Sequence, residues 1–157
     1  MNGLENIAST KGKILGVDFG DTRTGLAVCD PSRLLASGIG YISPGGIEKC
    51  ADAVAEVAKN EGVAAIIVGL PVNMDGSEGS RAARCRKFGA MVSERSGLPV
   101  AMFDERMTTM TASRYFNETN TRGKKRKTVI DTLSAQIILQ NCLDRLKYLC
   151  AGEKNGN

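Results

Sequence analysis

The sequence predicts an α/β protein built on a sheet that mixes antiparallel and parallel strands. Two strand-like segments, 13–19 and 26–30, flank the turn-forming sequence GDTRTG and predict a hairpin. Two continuous apolar runs, 63–70 and 98–104, each follow a helical segment, and such runs are typical of strands buried inside a parallel sheet. Hairpin strands followed by alternating helices and strands therefore favour a mixed sheet covered by helices.

The remaining elements follow from apolar periodicity and from helix-ending residues. Residues 34–42 predict a third strand. The stretch 46–61 predicts an amphipathic helix, because its apolar residues recur on one face, and Gly62 ends it. The later sequence predicts four further segments: a helix at 80–96, a short helix at 107–118, a basic loop at 120–127 and a last helix from about Thr128 to Leu149.

The length of 157 residues suits one domain. We expect that domain over 13–149, between a flexible N-terminus at 1–12, which is polar and lacks a pattern, and a flexible C-terminal tail at 150–157. The five cysteines are odd in number and lack CxxC spacing, which predicts free thiols in a reducing compartment. The sequence shows no signal peptide and no long apolar run, so we expect a cytoplasmic protein.

The composition excludes several kinds of chemistry. The chain contains no histidine, which excludes Ser-His-Asp and Cys-His triads and histidine-ligated metal sites. Aromatic residues make up 4% of the chain, so a base-stacking platform of several aromatics is not expected. The net charge of +4 is a mild basic bias. Acid–base or metal chemistry must therefore rest on carboxylates, lysine, tyrosine, cysteine or water.

Asp18 ends an apolar strand pattern and shares a strand face with Ile14 and Gly16. A carboxylate buried there costs on the order of several kcal/mol unless something compensates its charge. Hydrogen bonds from the backbone amides of the neighbouring turn could compensate it, and so could a metal ion. Because the strand opens into the turn sequence GDTRTG, the functional interpretation is favoured.

Further carboxylates follow later elements. Asp104 and Glu105 stand where the strand 98–104 ends, which is where α/β folds place ligand sites. Asp104 could instead cap the helix after it, an explanation that Glu105 lacks. Asp131 follows Thr128 at capping-box spacing, which would explain it structurally. A carboxylate near a helix N-terminus also stays ionised, as a metal ligand must.

Asp18, Glu105 and Asp131 come from a first strand, a later strand end and a late helix, and can converge on divalent cations. Their hard oxygen ligands suit Mg²⁺ or Mn²⁺. Two ions held about 3.5–4 Å apart can activate water and stabilise the leaving oxygen in phosphodiester hydrolysis. This chemistry does not require histidine.

Four segments of the chain resemble the YqgF family in order and spacing: GVDFGDTRTGLAVCD, IIVGLPVNMDGSEGSRAARCRKF, FDERMTT and IDTLSAQIILQ. The resemblance covers about residues 13–146, and the family consists of bacterial proteins described as Holliday junction resolvases and as pre-16S rRNA nucleases. It implies a ribonuclease-H-like fold with a mixed five-stranded sheet flanked by helices. It also implies that Asp18, Glu105 and Asp131 are the catalytic and metal-binding residues. Related junction resolvases carry a further Asp on the last helix, whereas Ser134 lies one turn beyond Asp131 in this chain.

Basic and polar residues near these carboxylates are candidates for contacts with nucleic acid. Guanidinium groups at a helix start suit phosphate, and the run RGKKRK lies next to Asp131. Each such residue could equally belong to a solvated face. The candidates are Arg23 in the first turn, Asn73 in the GLPVNMDGSEG loop, Arg84 and Arg86 near the start of the helix 80–96, and Lys124, Lys125 and Arg126 in the basic run.

Several functions compete for this pattern. The first is a Mg²⁺- or Mn²⁺-dependent nuclease that cuts structured RNA, in 5′-end maturation of pre-16S ribosomal RNA, as a monomer or a homodimer. A Holliday junction resolvase would act on branched DNA and would need a two-fold dimer. The third hypothesis is a non-catalytic RNA-binding factor of ribosome assembly. GVDFGDTRTG also resembles the phosphate-binding opening of the actin, sugar-kinase and Hsp70 group, but one lobe of 157 residues offers no ATP cleft.

Overall fold

The computed structural model describes residues 3–106 and 124–155, with side chains described for 3–106 and 132–150. The helices and strands follow in chain order: α1 (Leu4–Ala8), β1 (Ile14–Asp18), β2 (Thr24–Cys29), β3 (Ala36–Ile42), α2 (Ile47–Glu61), β4 (Ala65–Leu70), α3 (Ser80–Ser96), β5 (Val100–Asp104) and α4 (Lys124–Asn155).

The five strands form one mixed sheet in the order β3-β2-β1-β4-β5. Strands β1, β2 and β3 pair antiparallel, whereas β1 with β4 and β4 with β5 pair parallel. The predicted hairpin and the predicted mixed sheet are therefore confirmed. Parallel pairing brings the carboxyl ends of β1, β4 and β5 to one edge of the sheet, and this edge positions the candidate site.

Helices cover both faces of the sheet. One face packs on α2 and α3 through Leu15, Val17 and their neighbours, and the other packs on α4. Gly16 allows α4 to approach β1 closely, because a Cβ at this position would lie 2.7 Å from the Cβ of Leu139. Gly62, in a left-handed conformation with φ of 66°, ends α2 as predicted.

A β-bulge changes the direction of the side chains at the end of β3. Leu26 pairs with Gly40 and Ala27 pairs with Gly38, so that Ile39 is an extra residue on β3. Gly40 has a φ of 119°, a conformation that favours glycine. Ala36 and Ile42 are six residues apart and would share a face in a regular strand. Because of the extra residue, Ala36 lies on the α4 face and Ile42 packs on the face of α2 and α3.

The first twelve residues differ from the predicted pattern-free terminus. Leu4–Ala8 are helical and Ile7 is fully buried. The guanidinium of Arg33 donates hydrogen bonds to the carbonyl of Ile7 at 3.1 Å and to the carbonyl of Gly12 at 2.7 Å. This segment is thus attached to the domain by a buried side chain and by a partner far along the chain.

Helix α4 is longer than predicted at both ends, running from Lys124 to Asn155. The basic residues 124–127 belong to the helix, so the prediction of a loop over 120–127 is wrong for that part, and 120–123 lie outside the described residues. Residues 150–155 are likewise helical where a flexible tail is predicted. Thr128 stands inside the helix and cannot be its N-cap, so the capping-box explanation of Asp131 is wrong.

The predicted short helix at 107–118 falls outside the described residues. In the described part of the chain, no helix has the length and apolar character needed to cross a membrane.

Candidate active site

Asp18 is the last residue of β1 and lies at the carboxyl edge of the sheet. Strand alternation places it on the α4 face, two residues beyond Gly16, and it pairs in register with Gly25 of β2. The side chain is half-buried. The position agrees with the sequence prediction of a carboxylate at the end of an apolar strand.

Glu105 directly follows β5 and lies close to Asp18. Its backbone N–H donates to the carbonyl of Leu70 at 3.1 Å, which extends the pairing of β5 with β4. Its carboxylate lies over Gly69, where a Cβ would be 2.7 Å from Oε1 of Glu105. Val17 pairs with Val68, so Gly69 is the next residue beside Asp18. The carboxylate of Glu105 therefore lies over the strand that is next to Asp18, at a residue that has no side chain.

The electrostatic environment joins these carboxylates to the start of α3. Burial raises the pKa of the Glu105 carboxyl, while Arg81 acts to lower this pKa and Asp104 to raise it. Burial also raises the pKa of the Cys85 thiol to about 11, with Arg81 opposing and the charges of Glu105 and Asp18 adding to the rise. Arg81 is therefore a cation close enough to act on the acidic site.

Helix α4 crosses the sheet beside the two carboxylates. Leu139 and the carbonyl of Ala135 lie over Gly16, and Ile138 lies over Gly69. Position 131 is four residues before Ala135 on the same side of the helix, about 6 Å along the helix axis towards the carboxyl edge of the sheet. The side chain of Asp131 lies outside the described residues.

The two described carboxylates match part of the ligand set of a hard divalent cation. Asp18 and Glu105 supply oxygen ligands, which Mg²⁺ and Mn²⁺ prefer. Among the side chains described in 3–106 and 132–150, no three His, Cys, Asp or Glu residues are grouped closely enough to hold a metal ion. The third predicted ligand, Asp131, is the one whose side chain falls outside those ranges.

The predicted nucleic-acid contacts near α3 already have partners in the protein. Nε of Arg84 lies 2.7 Å from Oδ1 of Asp21. Arg86 donates to both carboxylate oxygens of Glu78, at 2.6 and 2.8 Å. Arg84 borders a pocket of about 200 Å³ beside the carboxyl edge, lined by Phe19, Gly20, Asp21, Ser80, Arg81, Arg84 and Cys85.

The other predicted contacts lie in the loop after β4, in the first turn and at the start of α4. Nδ2 of Asn73 donates to Oγ of Ser77 at 3.0 Å within the loop. The guanidinium of Arg23 lies 5.3 Å from the ring centroid of Tyr41. Lys124, Lys125 and Arg126 are the first residues of α4, and their side chains lie outside the described residues.

Sequence reasoning missed the role of Arg106. Its guanidinium donates to Asp104 Oδ2 at 2.8 Å and to the carbonyl of Asn73 at 3.2 Å. It thereby ties the loop after β4 to the end of β5. Asp104 also accepts the backbone N–H of Arg106 at 2.9 Å, so its described role is to shape this turn. The adjacency of Asp104, Glu105 and Arg106 in the sequence was the available signal.

A family model described as "RuvX: Holliday junction resolvase" matches residues 12–145. The chain belongs to this family. A protein of Rhodopirellula baltica named "Putative pre-16S rRNA nuclease" is 39% identical over 137 residues, covering 87% of this chain and 79% of its own. A protein of the same name from Oenococcus oeni is 41% identical over 143 residues, covering 89% of this chain and 99% of its own. The resemblance found in the sequence is thus confirmed.

The fold is also similar to that of a solved resolvase. RuvC of T. thermophilus in complex with a Holliday junction substrate aligns with a TM-score of 0.57 and 14% identity, over 87% of this chain and 96% of RuvC. The predicted ribonuclease-H-like fold is confirmed. Membership of the RuvX family makes the chain a nuclease, a hydrolase that acts on nucleic acid.

The raised pKa of Glu105 predicts that its ionisation destabilises the metal-free protein. The folded state binds this proton more tightly than the unfolded state, so the stabilisation is fully present below the ordinary glutamate pKa and is lost as the pH rises through the folded value. We expect Glu105→Gln, in EDTA, to be more stable than wild type at neutral pH. Near pH 4 this advantage should shrink. Urea unfolding at several pH values measures the difference, and a difference independent of pH would contradict the argument.

Proposed function

We propose that this RuvX-family chain is a metal-dependent nuclease that cuts structured RNA, in 5′-end maturation of pre-16S ribosomal RNA. The proposal is carried by one observation: the carboxylate of Glu105 lies over Gly69, the residue of β4 that stands beside Asp18 at the carboxyl edge of the sheet. Two carboxylates on neighbouring strands at one edge of the sheet favour binding of a cation that compensates their charge. The position of Asp131 on α4, one turn from Ala135, supports a third ligand at the same place.

Asp18, Glu105 and Asp131 would hold Mg²⁺ or Mn²⁺. The bound ion would supply a polarised phosphate and a water molecule of lowered pKa. The carboxylate of Glu105, whose affinity for a proton is raised by burial, can accept a hydrogen bond from the attacking water and orient it. The cation of Arg81 can bind a phosphate oxygen and offset the negative charge that develops there.

The basic residues on either side would bind the RNA backbone. Arg84 would contact phosphate from the start of α3, and Arg23 from the first turn. Lys124, Lys125 and Arg126 would do so from the start of α4. Each phosphate that they neutralise would add about 0.7–0.9 to the magnitude of the slope of log binding constant against log salt concentration.

Asn73 and Arg86 are further proposed contacts, and like Arg84, which pairs with Asp21, they already have partners in the protein. Asn73 donates a hydrogen bond to Ser77, and Arg86 donates hydrogen bonds to both carboxylate oxygens of Glu78. Each would therefore exchange or share an existing hydrogen bond to reach a phosphate. Their first role is to shape the surface over which the RNA lies.

Ribosomal RNA is favoured over a DNA junction as the substrate by the names of the Rhodopirellula baltica and Oenococcus oeni relatives. Related resolvases also carry a further Asp on the last helix, whereas Ser134 lies one turn beyond Asp131 in this chain. The proposed location is the cytoplasm, where ribosomes are assembled and where the five free cysteines would stay reduced. Junction resolution is the alternative, because the family description names it.

The deciding experiment offers the protein two labelled substrates in parallel. One is a precursor RNA fragment that spans the 5′ end of 16S ribosomal RNA, and the other is a four-way DNA junction. We expect cleavage of the RNA with Mn²⁺ or Mg²⁺, none in EDTA, and no symmetric cutting of the junction. Cutting of the junction with the RNA left intact would assign the protein to recombination. Binding of the RNA without cleavage would favour a non-catalytic assembly factor.

A further inference from the structure

Tyr41 lies in the same cross-strand row as the candidate catalytic residue Asp18. Asp18 pairs with Gly25 of β2, and Gly25 pairs with Tyr41 of β3. Neighbouring strands are about 4.8 Å apart, so the backbone of Tyr41 is roughly 10 Å from that of Asp18. This distance is within the reach of one or two nucleotides of a bound strand.

The bulge in β3 turns Tyr41 to the side of the sheet on which Asp18 lies. Without the extra residue Ile39, simple alternation from Ala36 would place Tyr41 on the face of α2 and α3. With it, Ile42 packs on that face and Tyr41, one residue earlier, is directed to the face of Asp18. Bulges of this kind are frequent next to active sites, where they redirect a side chain.

The ring of Tyr41 is exposed and lies against a cation. It is 39% exposed, which leaves part of this aromatic surface open to solvent. The guanidinium of Arg23 lies 5.3 Å from the ring centroid, which adds a positive charge beside the aromatic surface. Oγ of Ser43 donates to the carbonyl of Thr22 at 2.7 Å and ties the end of β3 to the turn that carries Arg23.

The charge around this position suits a nucleic-acid strand. The first four residues of α4, which are all basic, lie at the same end of the sheet, because α4 runs from the carboxyl edge past Thr132 beside Gly38 and Gln136 beside Ala36. Phosphates that are bound there would leave their bases near the ring of Tyr41. Base–aromatic stacking tolerates any sequence, since every base has a π-face.

We propose that Tyr41, supported by Arg23, is a stacking platform for one unpaired base of the RNA next to the cleavage site. The inference rests on the proposed function, since it takes the carboxylates at Asp18 as the cleavage site. It assigns the enzyme a preference for RNA in which a single-stranded segment adjoins the cut. A single aromatic is enough for this role, which agrees with the low aromatic content of the chain.

The test uses binding without cleavage. The probe is an RNA hairpin with a single-stranded 5′ extension in which 2-aminopurine, whose fluorescence falls on stacking, replaces each base in turn. Asp18→Asn is the background for all variants, so that the probe stays intact. We expect quenching at one or two adjacent positions, lost in Tyr41→Ala and kept in Tyr41→Phe. Tyr41→Ala should weaken binding of this probe by about tenfold and leave a fully paired hairpin unaffected.

Tyr148 provides a matched control. It is 73% exposed and lies beside the guanidinium of Arg145 at 5.7 Å, but it stands near the other end of α4. Tyr148→Ala should leave the quenching unchanged. The proposal would be overturned if quenching persists in Tyr41→Ala. It would also be overturned if this variant loses affinity equally for the fully paired hairpin and for the hairpin with the single-stranded extension. If the wild type cuts no RNA but quenching depends on Tyr41, the proposed cleavage fails and the stacking platform stands.

Discussion

The variant Asp18→Asn is expected to lose RNA cleavage, by at least ~10³-fold, and to keep the affinity of the wild type for RNA. Asparagine has the shape of aspartate but lacks the negative charge that holds a hard cation. The substitution does not change the basic side chains that are proposed to contact the RNA backbone. The loss should therefore appear in the rate of the chemical step.

Single-turnover cleavage and a separate binding titration distinguish these two quantities. Asp52→Asn is the matched control, because Asp52 is exposed and pairs with Arg95 at 2.6 Å, away from the carboxyl edge of the sheet. It should cleave RNA at the rate of the wild type. Full cleavage by Asp18→Asn would remove this residue from the site, and a loss of RNA binding would give it a structural or a binding role instead.

Asp18→Asn also has an expected effect on stability. Asp18 is a half-buried carboxylate at the end of an apolar strand, and partial burial of its charge costs free energy in the metal-free protein. In EDTA the variant should melt at a temperature at least as high as the wild type. Addition of Mn²⁺ should raise the melting temperature of the wild type and change that of the variant little. Equal stabilisation of both proteins by Mn²⁺ would place the cation elsewhere.

The elements with a long periodic pattern were predictable from the sequence. Strands β4 and β5 begin two residues after their predicted starts, and α3 covers the predicted range. Helix α1 could not be predicted in this way, because five residues are too short for a period. Its stability depends on burial of Ile7 and on Arg33, which lies far along the chain.

Local motifs misled the prediction where the tertiary structure decides. The run KKRK looks like a solvated loop but forms the first turn of α4, and the spacing of Thr128 and Asp131 imitates a capping box inside that helix. The bulge at Ile39 could not be predicted either, because the glycine-rich sequence of β3 gives no clear alternation. The orientation of Tyr41 therefore requires the observed pairing of β2 with β3.

The candidate carboxylates could be chosen from the sequence, but their mutual placement could not. The contact of Glu105 with Gly69 depends on the register between parallel strands, which no local pattern encodes. The role of Arg106 was missed for a related reason. One of its partners, the carbonyl of Asn73, belongs to the loop after β4, and the sequence around Arg106 does not show this contact.

The variant Gly69→Ala is expected to lower kcat/KM by about 10²-fold, because a displacement near 1 Å of a catalytic group can have such an effect. A Cβ at this position would lie 2.7 Å from Oε1 of Glu105 and 2.7 Å from Cδ1 of Ile138. Both atoms are the far ends of flexible side chains. The protein can therefore fold by moving them, at a cost of about 1–3 kcal/mol in the free energy of unfolding.

A second substitution separates the two contacts of this methyl group. Ile138→Val removes Cδ1, and with it one of the two steric conflicts of Gly69→Ala. In the double variant, part of the stability should return, since the new methyl group fills the space that Cδ1 leaves. The activity should stay low, because the conflict with the carboxylate of Glu105 remains.

Gly3→Ala is the matched control, because a Cβ at Gly3 would meet no atom within 4 Å. Cleavage assays with Mn²⁺ measure the activity, and urea unfolding measures the stability. Both are applied to the wild type, Gly69→Ala, the double variant and Gly3→Ala. If Gly69→Ala cleaves RNA at the rate of the wild type, the position of Glu105 over the sheet does not matter for the chemistry. If the double variant regains activity together with stability, displacement of Ile138 and helix α4 is the cause of the loss. Activity that stays low while stability returns is the result expected if Gly69 is needed to seat the carboxylate of Glu105 beside Asp18.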